Sequence, residues 1–256
     1  MRLEPLPALS DNYIWLLADA DGHAVVVDPG EADPVEAVIA RDGLRLEAIL
    51  LTHHHADHVA GAKSLRTRHG AIVYAPDDDR IETVDVRVGD GDVVELDAPQ
   101  VNFRVWAVPG HTRTHIAFVG EDLLFCGDTL FSLGCGRLFE GTPQQMLQSL
   151  DRLSTLPDST QVCCGHEYTV SNAAFAHNIE PDNEALAQRT EQARQVTQAG
   201  RASLPSRMDE ERAANPFLRI DAAAVKQWAD THAPHAAQDR VERFAALRAA
   251  KDGFRT

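Results

Sequence analysis

The 256-residue sequence predicts an α/β protein in two parts, a layered domain of strands and helices over 1–170 and a helical domain over 171–256. Three observations carry this expectation. Short apolar, β-branched runs bounded by Gly, Pro, Asn and Asp recur up to about residue 170. Helical patterns are interleaved among them, as layered α/β folds require. After Tyr168 the composition turns to Ala, Gln, Glu and Arg with almost no β-branched run.

Taken in order, strands are expected over 13–18, 23–27, 48–51, 72–75, 93–96, 102–108, 116–119, 123–126 and 161–164, each a short run rich in Val, Ile, Leu or aromatic residues. Helices are expected over 34–41, 57–69 and 143–153. The last has the clearest start, with Thr142 as cap and Pro143 at the first helical position. In the second part, 183–199, 222–230 and 236–251 read as amphipathic helices, closed by Gly200 and Gly253.

Composition narrows the function. Hydrophobic residues at 44% and charged residues at 25% suit a soluble protein with a substantial core. A net charge of −15 argues against nucleic acid as a partner, because phosphate binding needs concentrated Lys and Arg. The same charge means that an anionic substrate would need a local basic pocket. No apolar stretch approaches the length of a membrane span, and the N-terminus has prolines and an acid where a secretory signal would be apolar. The expected location is therefore the cytoplasm. Cys126, Cys135, Cys163 and Cys164 lack a metal-type spacing and are expected to be reduced core residues. No heptad stands out, so a monomer is expected.

One segment carries the chemistry. Thr52-His53-His54-His55-Ala56-Asp57-His58 follows an apolar run and places four imidazoles and a carboxylate in seven residues. These are the nitrogen and oxygen donors that borderline divalent ions prefer. On an extended backbone His53 and His55 share one side, and a helical turn at Asp57 sends Asp57 and His58 another way, so the segment can serve two adjacent ions. Three later strands end similarly, in Pro109-Gly110-His111-Thr112, Gly127-Asp128-Thr129 and Gly165-His166-Glu167. Any one of these alone reads as a solvated turn; together with the histidine cluster they gather at a sheet edge, where open α/β folds bind ligands. His54 points away from His53 and His55, and His115 is expected to support the ligands rather than to bind an ion. His23, His69, His177, His232 and His235 read as surface or structural histidines.

THHHADH with the later PGHT, GDT and GHE resembles the metallo-β-lactamase superfamily. Asp11-Asn12-Tyr13, Val27-Asp28-Pro29-Gly30-Glu31, the run from Leu133 to Thr142, Gly165-His166-Glu167-Tyr168-Thr169, Asn215-Pro216-Phe217-Leu218-Arg219 and Arg248-Ala249-Ala250-Lys251-Asp252 resemble, more narrowly, the hydroxyacylglutathione hydrolase (glyoxalase II) family. The resemblance implies an αββα sandwich with a C-terminal α-helical domain. It assigns His53, His55 and His111 to one ion, Asp57, His58 and His166 to a second, and Asp128 to both. It implies glutathione contacts from Arg137, Phe139, Tyr168, Arg248 and Lys251. The chain departs from the family pattern with Arg137 for Lys, Phe139 for Tyr, which loses a phenol hydrogen bond, and Thr114 where many relatives have Gly. Without the resemblance, Arg248 and Lys251 read as solvated charges of a terminal helix.

The implied activity is hydrolysis of S-(2-hydroxyacyl)glutathione thioesters, S-D-lactoylglutathione first, by a metal-bridged hydroxide, as the second step of methylglyoxal detoxification. Asp57 and Asp128 are the expected catalytic carboxylates, and two divalent ions the expected cofactors, zinc first, with iron or manganese accommodated by the same donors. The alternative is a glutathione persulfide dioxygenase with a single iron; a complete second ligand set argues against it. A β-lactamase would need export, a nuclease a basic surface, and a non-catalytic binding protein no reason to keep both ligand sets.

Overall fold

The chain opens with an edge strand, β1 (Arg2–Ala8), whose Pro5 and Pro7 lie on alternate positions. Proline has no N–H to give a sheet, so this spacing is tolerated where those positions face away from the neighbouring strand. In the computed structural model, which describes residues 1–236 and 238–255, β1 pairs antiparallel with β2 (Asn12–Ala18), and β2 with β3 (His23–Val27). Helix α1 (Asp33–Asp42) carries Pro34 in its first turn and ends at Gly43 in the left-handed region, a conformation that glycine adopts without penalty. It leads to β4 (Arg45–Leu50), parallel to β3. Two short helices, α2 (Ala56–Val59) and α3 (Ala62–His69), then lead to β5 (Ile72–Pro76) and β6 (Val86–Val88), both parallel. The first sheet thus runs β1-β2-β3-β4-β5-β6.

Every residue of β2 is buried, so this sheet needs cover on both faces. Ile14 and Leu16 pack with Val26, Ile49 and Leu51, and with Val35 and Val38 of α1 and Leu65 of α3. Burying each such side chain contributes about 1.5–3 kcal/mol. The intervening residues of β2 face the other way, and Trp15 Nε1 donates to the Cys164 carbonyl at 2.9 Å. The antiparallel strands β7 (Val93–Asp97), β8 (Gln100–Ala107), β9 (Ile116–Gly120) and β10 (Leu123–Gly127) form a second sheet in the order β10-β9-β8-β7. Along β8, Val101, Phe103 and Val105 are buried while Asn102 and Arg104 are exposed. These elements belong to one compact unit, made of Met1–Ala107, Thr114–Gly127 and Cys163–His166.

The other unit takes Val108–Arg113, Asp128–Val162 and the chain from Glu167 onward. It begins with a small hairpin, β11 (Leu130–Phe131) and β12 (Gly134–Cys135), turned by Leu133 at φ +59°. Helix α4 (Pro143–Leu153) starts with a reciprocal cap between Thr142 and Gln145, as its sequence predicts. There follow β13 (Gln161–Cys164), α5 (Thr169–Ile179), α6 (Glu184–Gln198), β14 (Ser206–Arg207), α7 (Met208–Ala214), α8 (Ala223–His232) and α9 (Arg240–Gly253). Gln161 and Val162 pair with β14. Leu133, Ala173, Ala176, Leu186 and Ala214 form an apolar cluster, and Phe217 packs between Phe175 and Phe244.

Four expectations shift in detail. The helix expected over 57–69 breaks at Ala60 and Gly61, because Gly61 N donates to the Pro29 carbonyl at 2.8 Å and a Cβ there would sit 2.5 Å from the Glu31 carbonyl carbon. Helix α5 is missed by the periodicity argument, since its Thr169, Asn172, Ala173, Phe175, Ala176 and Ile179 are buried around most of its circumference. The helix expected over 236–251 starts only at Arg240, after the cap Asp239; Ala237 of that span lies outside the described residues. Gly253 is the last helical residue rather than the stop. Among the described residues, no helix is long and apolar enough to cross a membrane.

Candidate metal centre

The parallel strands β3 and β4 end side by side, and each ends in polar groups. Asp28, just beyond β3, is 4% exposed and adopts φ +52°, a strained conformation for a non-glycine residue that its bonds hold in place. Its Oδ1 accepts from Thr52 N at 2.8 Å and its Oδ2 from Thr52 Oγ1 at 2.6 Å. Next comes Gly30, where a Cβ would lie 1.9 Å from the Asp57 carbonyl oxygen; the absence of a side chain lets this loop press against the histidine segment. The segment therefore leaves β4 under tight steric control.

Hydrogen bonds fix the tautomers of the rings. A threonine hydroxyl has one proton, and Thr52 gives it to Asp28, so the 3.0 Å contact with His53 Nδ1 makes that nitrogen the donor. His58 Nδ1 lies 3.0 Å from Asp28 Oδ2 and His166 Nδ1 2.7 Å from Asp11 Oδ1, and a carboxylate only accepts. In the neutral state His53, His58 and His166 each then turn an Nε2 lone pair outward. His58 Nε2 and His166 Nε2 both stand 3.5 Å from Asp57 Oδ2. Lone pair facing lone pair is repulsive unless a cation sits between them. Two donors about 2.1 Å from one tetrahedral ion are themselves about 3.4 Å apart, so Asp57, His58 and His166 fit a divalent ion. Asp57 is steadied by Asn12 Nδ2, which donates to its Oδ2 at 3.0 Å and its carbonyl at 3.2 Å.

His53 Nε2 lies 3.1 Å from His55 Nδ1, so the first histidine pair also converges. His54 turns away, with Nδ1 3.5 Å from Asp78 Oδ2, and Thr114 Oγ1 donates to that same oxygen at 2.5 Å. The threonine that departs from the family pattern thus gains a partner. His115 stacks on His53 with ring centroids 4.5 Å apart and bonds the Ile116 carbonyl through Nδ1. It therefore packs against the histidine segment from the side. All four cysteines are buried thiols.

In the other unit the same pattern recurs. His111 Nδ1 donates to the Arg137 carbonyl at 2.9 Å, and Nε2 lies 3.5 Å from Asp128 Oδ2. Phe139, 63% exposed, sets its ring edge against His111 with centroids 5.2 Å apart. Arg137, Arg248 and Lys251 gather around Asp252. Arg248 is buried rather than solvated: its Nη1 donates to the Cys135 carbonyl at 2.6 Å, its Nη2 to Asp252 at 3.0 Å, and its guanidinium lies over Phe217. Arg137 Nε lies 3.5 Å from the same Asp252 oxygen. Burial, then repulsion from Arg248 and Arg137, lowers the Lys251 ammonium to about 8. Lys251 Nζ donates to the Ser171 carbonyl at 3.3 Å and lies between the Phe175 and Phe254 rings. Tyr168 packs edge-on to Phe131.

Asp11, Asn12 and Asp28 are the supporting residues that motif reading quoted without giving them a role. The signal was an acid or amide immediately beside a buried strand, at 11–12 and at 28, where a polar group needs a partner.

The model of the metallo-beta-lactamase superfamily matches residues 9–166, and that of the hydroxyacylglutathione hydrolase C-terminus matches 167–254. A hydroxyacylglutathione hydrolase of Xanthomonas campestris pv. campestris (strain B100) is 50% identical over 256 residues, covering 100% of both chains. One of Xylella fastidiosa (strain M12) is 51% identical over 99% of this chain and 98% of its own. Among solved structures, ETHE1 from Myxococcus xanthus superposes with a TM-score of 0.68 at 28% identity, over 96% of this chain and 90% of that one. TTHA1623 in a di-iron-bound form gives 0.55 at 30% identity, over 64% and 91%.

Proposed function

Because the chain belongs to the hydroxyacylglutathione hydrolase family of the metallo-beta-lactamase superfamily, we propose that it hydrolyses S-(2-hydroxyacyl)glutathione thioesters to glutathione and a 2-hydroxy acid, with S-D-lactoylglutathione as substrate in methylglyoxal detoxification. Its fold is the metallo-β-lactamase α/β fold with a C-terminal helical region. The observation that carries metal-dependent hydrolysis is the convergence of His58 Nε2 and His166 Nε2 on Asp57 Oδ2, each at 3.5 Å, as a set of donors spaced to hold one ion. The glutathione part rests on the full-length match and on the cationic group at Arg137, Arg248 and Lys251.

In this reading His53, His55 and His111 hold one divalent ion, Asp57, His58 and His166 hold a second, and Asp128 serves both. Zinc is the first choice, and iron or manganese suit the same donors. Such ions, when bound, make hydroxide available near neutral pH and polarise a carbonyl. The residues of the chain do the rest. Asp57 and Asp128 fix where the attacking oxygen stands, while Asn12, Asp28 and Asp11 keep the ligands from rotating. The water oxygen adds to the acyl carbon, the C–S bond breaks, and the thiolate takes up a proton; with a thiol pKa near ~8.5 it leaves without a dedicated acid. Arg137, Phe139, Tyr168, Arg248 and Lys251 bind the glutathione moiety, whose carboxylates match guanidinium and ammonium groups in an otherwise acidic protein. We assign 1–170 to the catalytic domain and 171–256 to the substrate-binding domain. Four buried thiols suit the reducing cytoplasm, and the protein is taken as a monomer.

Purified protein should release thiol from S-D-lactoylglutathione and lose that activity to a chelator. Asp128→Ala should lower both bound metal and turnover, the latter by about 100-fold or more. Oxygen uptake with glutathione persulfide, in place of thioester cleavage, would favour the single-iron dioxygenase.

A further inference from the structure

The hairpin β11–β12 leads directly into Arg137 and Phe139, yet it has only two residues per strand and cannot hold its own shape. Its carbonyls are gripped from outside by side chains. Asn215 Nδ2 donates to the Phe131 and Gly134 carbonyls at 3.1 and 2.9 Å, Asn172 Nδ2 to that of Ser132 at 3.0 Å, and Arg248 to that of Cys135. Glu211 Oε2 accepts from Leu133 N at 2.8 Å and from Asn215 Nδ2 at 3.1 Å. Asn215 and Glu211 are both 0% exposed, and Asn215 Oδ1 is itself fixed by Phe217 N at 3.0 Å. Beyond the hairpin, Gly136 N bonds the Thr129 carbonyl, a Cβ on Gly136 would lie 1.9 Å from the Asp128 carbonyl oxygen, and the Arg137 carbonyl takes the Nδ1 proton of His111.

We infer that Asn215 and Glu211 are positioning residues that set the orientation of His111 through the hairpin, and the placement of Arg137 and Phe139 with it. This rests on the reading of His111 as a ligand given above. Neither residue is among the ion ligands or glutathione contacts assigned above. Their effect passes through one rigid backbone segment of seven residues, 131–137, of which five carbonyls are bonded by side chains of other elements. Loosening it lets the His111 ring rotate, and that weakens one ion position selectively.

The test compares wild type, Asn215→Ala, Asn172→Ala and Glu211→Gln, each loaded with zinc and titrated with a chelator, with cobalt-substituted samples read by visible absorption. Asn215→Ala should release one ion equivalent at about tenfold lower chelator concentration, leave the other unchanged, and alter the cobalt spectrum. Asn172→Ala, which removes one bond, should shift the same ion less. Glu211→Gln, which keeps the acceptor for Leu133 N, should retain wild-type release. For thioester cleavage Asn215→Ala should raise KM about fivefold and lower kcat. A lowered melting temperature with both ions, the spectrum and the kinetic constants unchanged would make Asn215 merely structural and overturn the inference, as would equal weakening of both ions. Metal release requires no substrate, so this arm decides the positioning role even if no glutathione thioester is cleaved.

Discussion

His53, His58, His111 and His166 each owe their orientation to an oxygen on Nδ1, and Asp28 serves two of them, His58 directly and His53 through the Thr52 hydroxyl. Asp28→Asn keeps the volume but replaces one acceptor oxygen with a donor, so metal affinity should fall about 10–100-fold, as measured by chelator competition. Unchanged affinity would show that the rings keep their rotamers without it. Lys251 gives a pH prediction. Its folded-state value, about 8, lies below the ordinary 10.5, so the folded chain holds fewer protons than the unfolded one between these values. The cost of charging it is fully present below about 8 and is relieved as pH rises toward 10.5, where stability gains from this residue. Binding runs the other way: an anionic thioester needs the ammonium, so KM should climb as pH passes about 8. Lys251→Met should flatten that climb, and an identical profile in the variant would remove Lys251 from binding. At this scale the metal-type cluster was legible, because His and Asp at 53, 55, 57 and 58 suit no apolar core. Their supports were not, since nothing local says that Asp11 reaches His166 across 155 positions.

Strands and capped helices were the easier elements to foresee. The run at 13–18 and the Thr142-Pro143 start announce themselves through burial and capping chemistry. Elements whose reason is tertiary stayed hidden. β14 has two residues and exists only because β13 offers an edge, and the break at Gly61 exists only because the 29–31 loop presses in from elsewhere. That loop supplies the element-scale prediction. In Gly30→Ala the new methyl would meet the Asp57 carbonyl oxygen at 1.9 Å, so α2 must move away from the loop. We expect a loss of about 1–3 kcal/mol in urea unfolding together with reduced metal content. A variant as stable and as metal-rich as wild type would show that the loop yields freely.

For the whole molecule, an acidic chain with net charge −15 keeps its cationic groups near Asp252 local, which reconciles the overall charge with an anionic substrate. Metal also bears on global stability. An ion that binds only the folded chain adds RT ln(1 + [L]/Kd), about 4 kcal/mol when the ion is a thousandfold above Kd. Stripping the protein with a chelator should therefore lower the melting temperature by several degrees, and zinc should restore it; equal melting curves would mean that no ion is held tightly. The C-terminal helical region was readable from the change of composition after Tyr168, whereas the grouping of 128–162 with that region by contacts was not, because contacts leave no trace in composition. Finally, the prolines of β1 bear on how the protein behaves in a crowded solution. With amide hydrogens missing at positions 5 and 7, that sheet margin offers a broken row of donors to any passing extended chain, so polymerisation by strand addition is blocked there, and replacing both prolines with valine would open the protein to it.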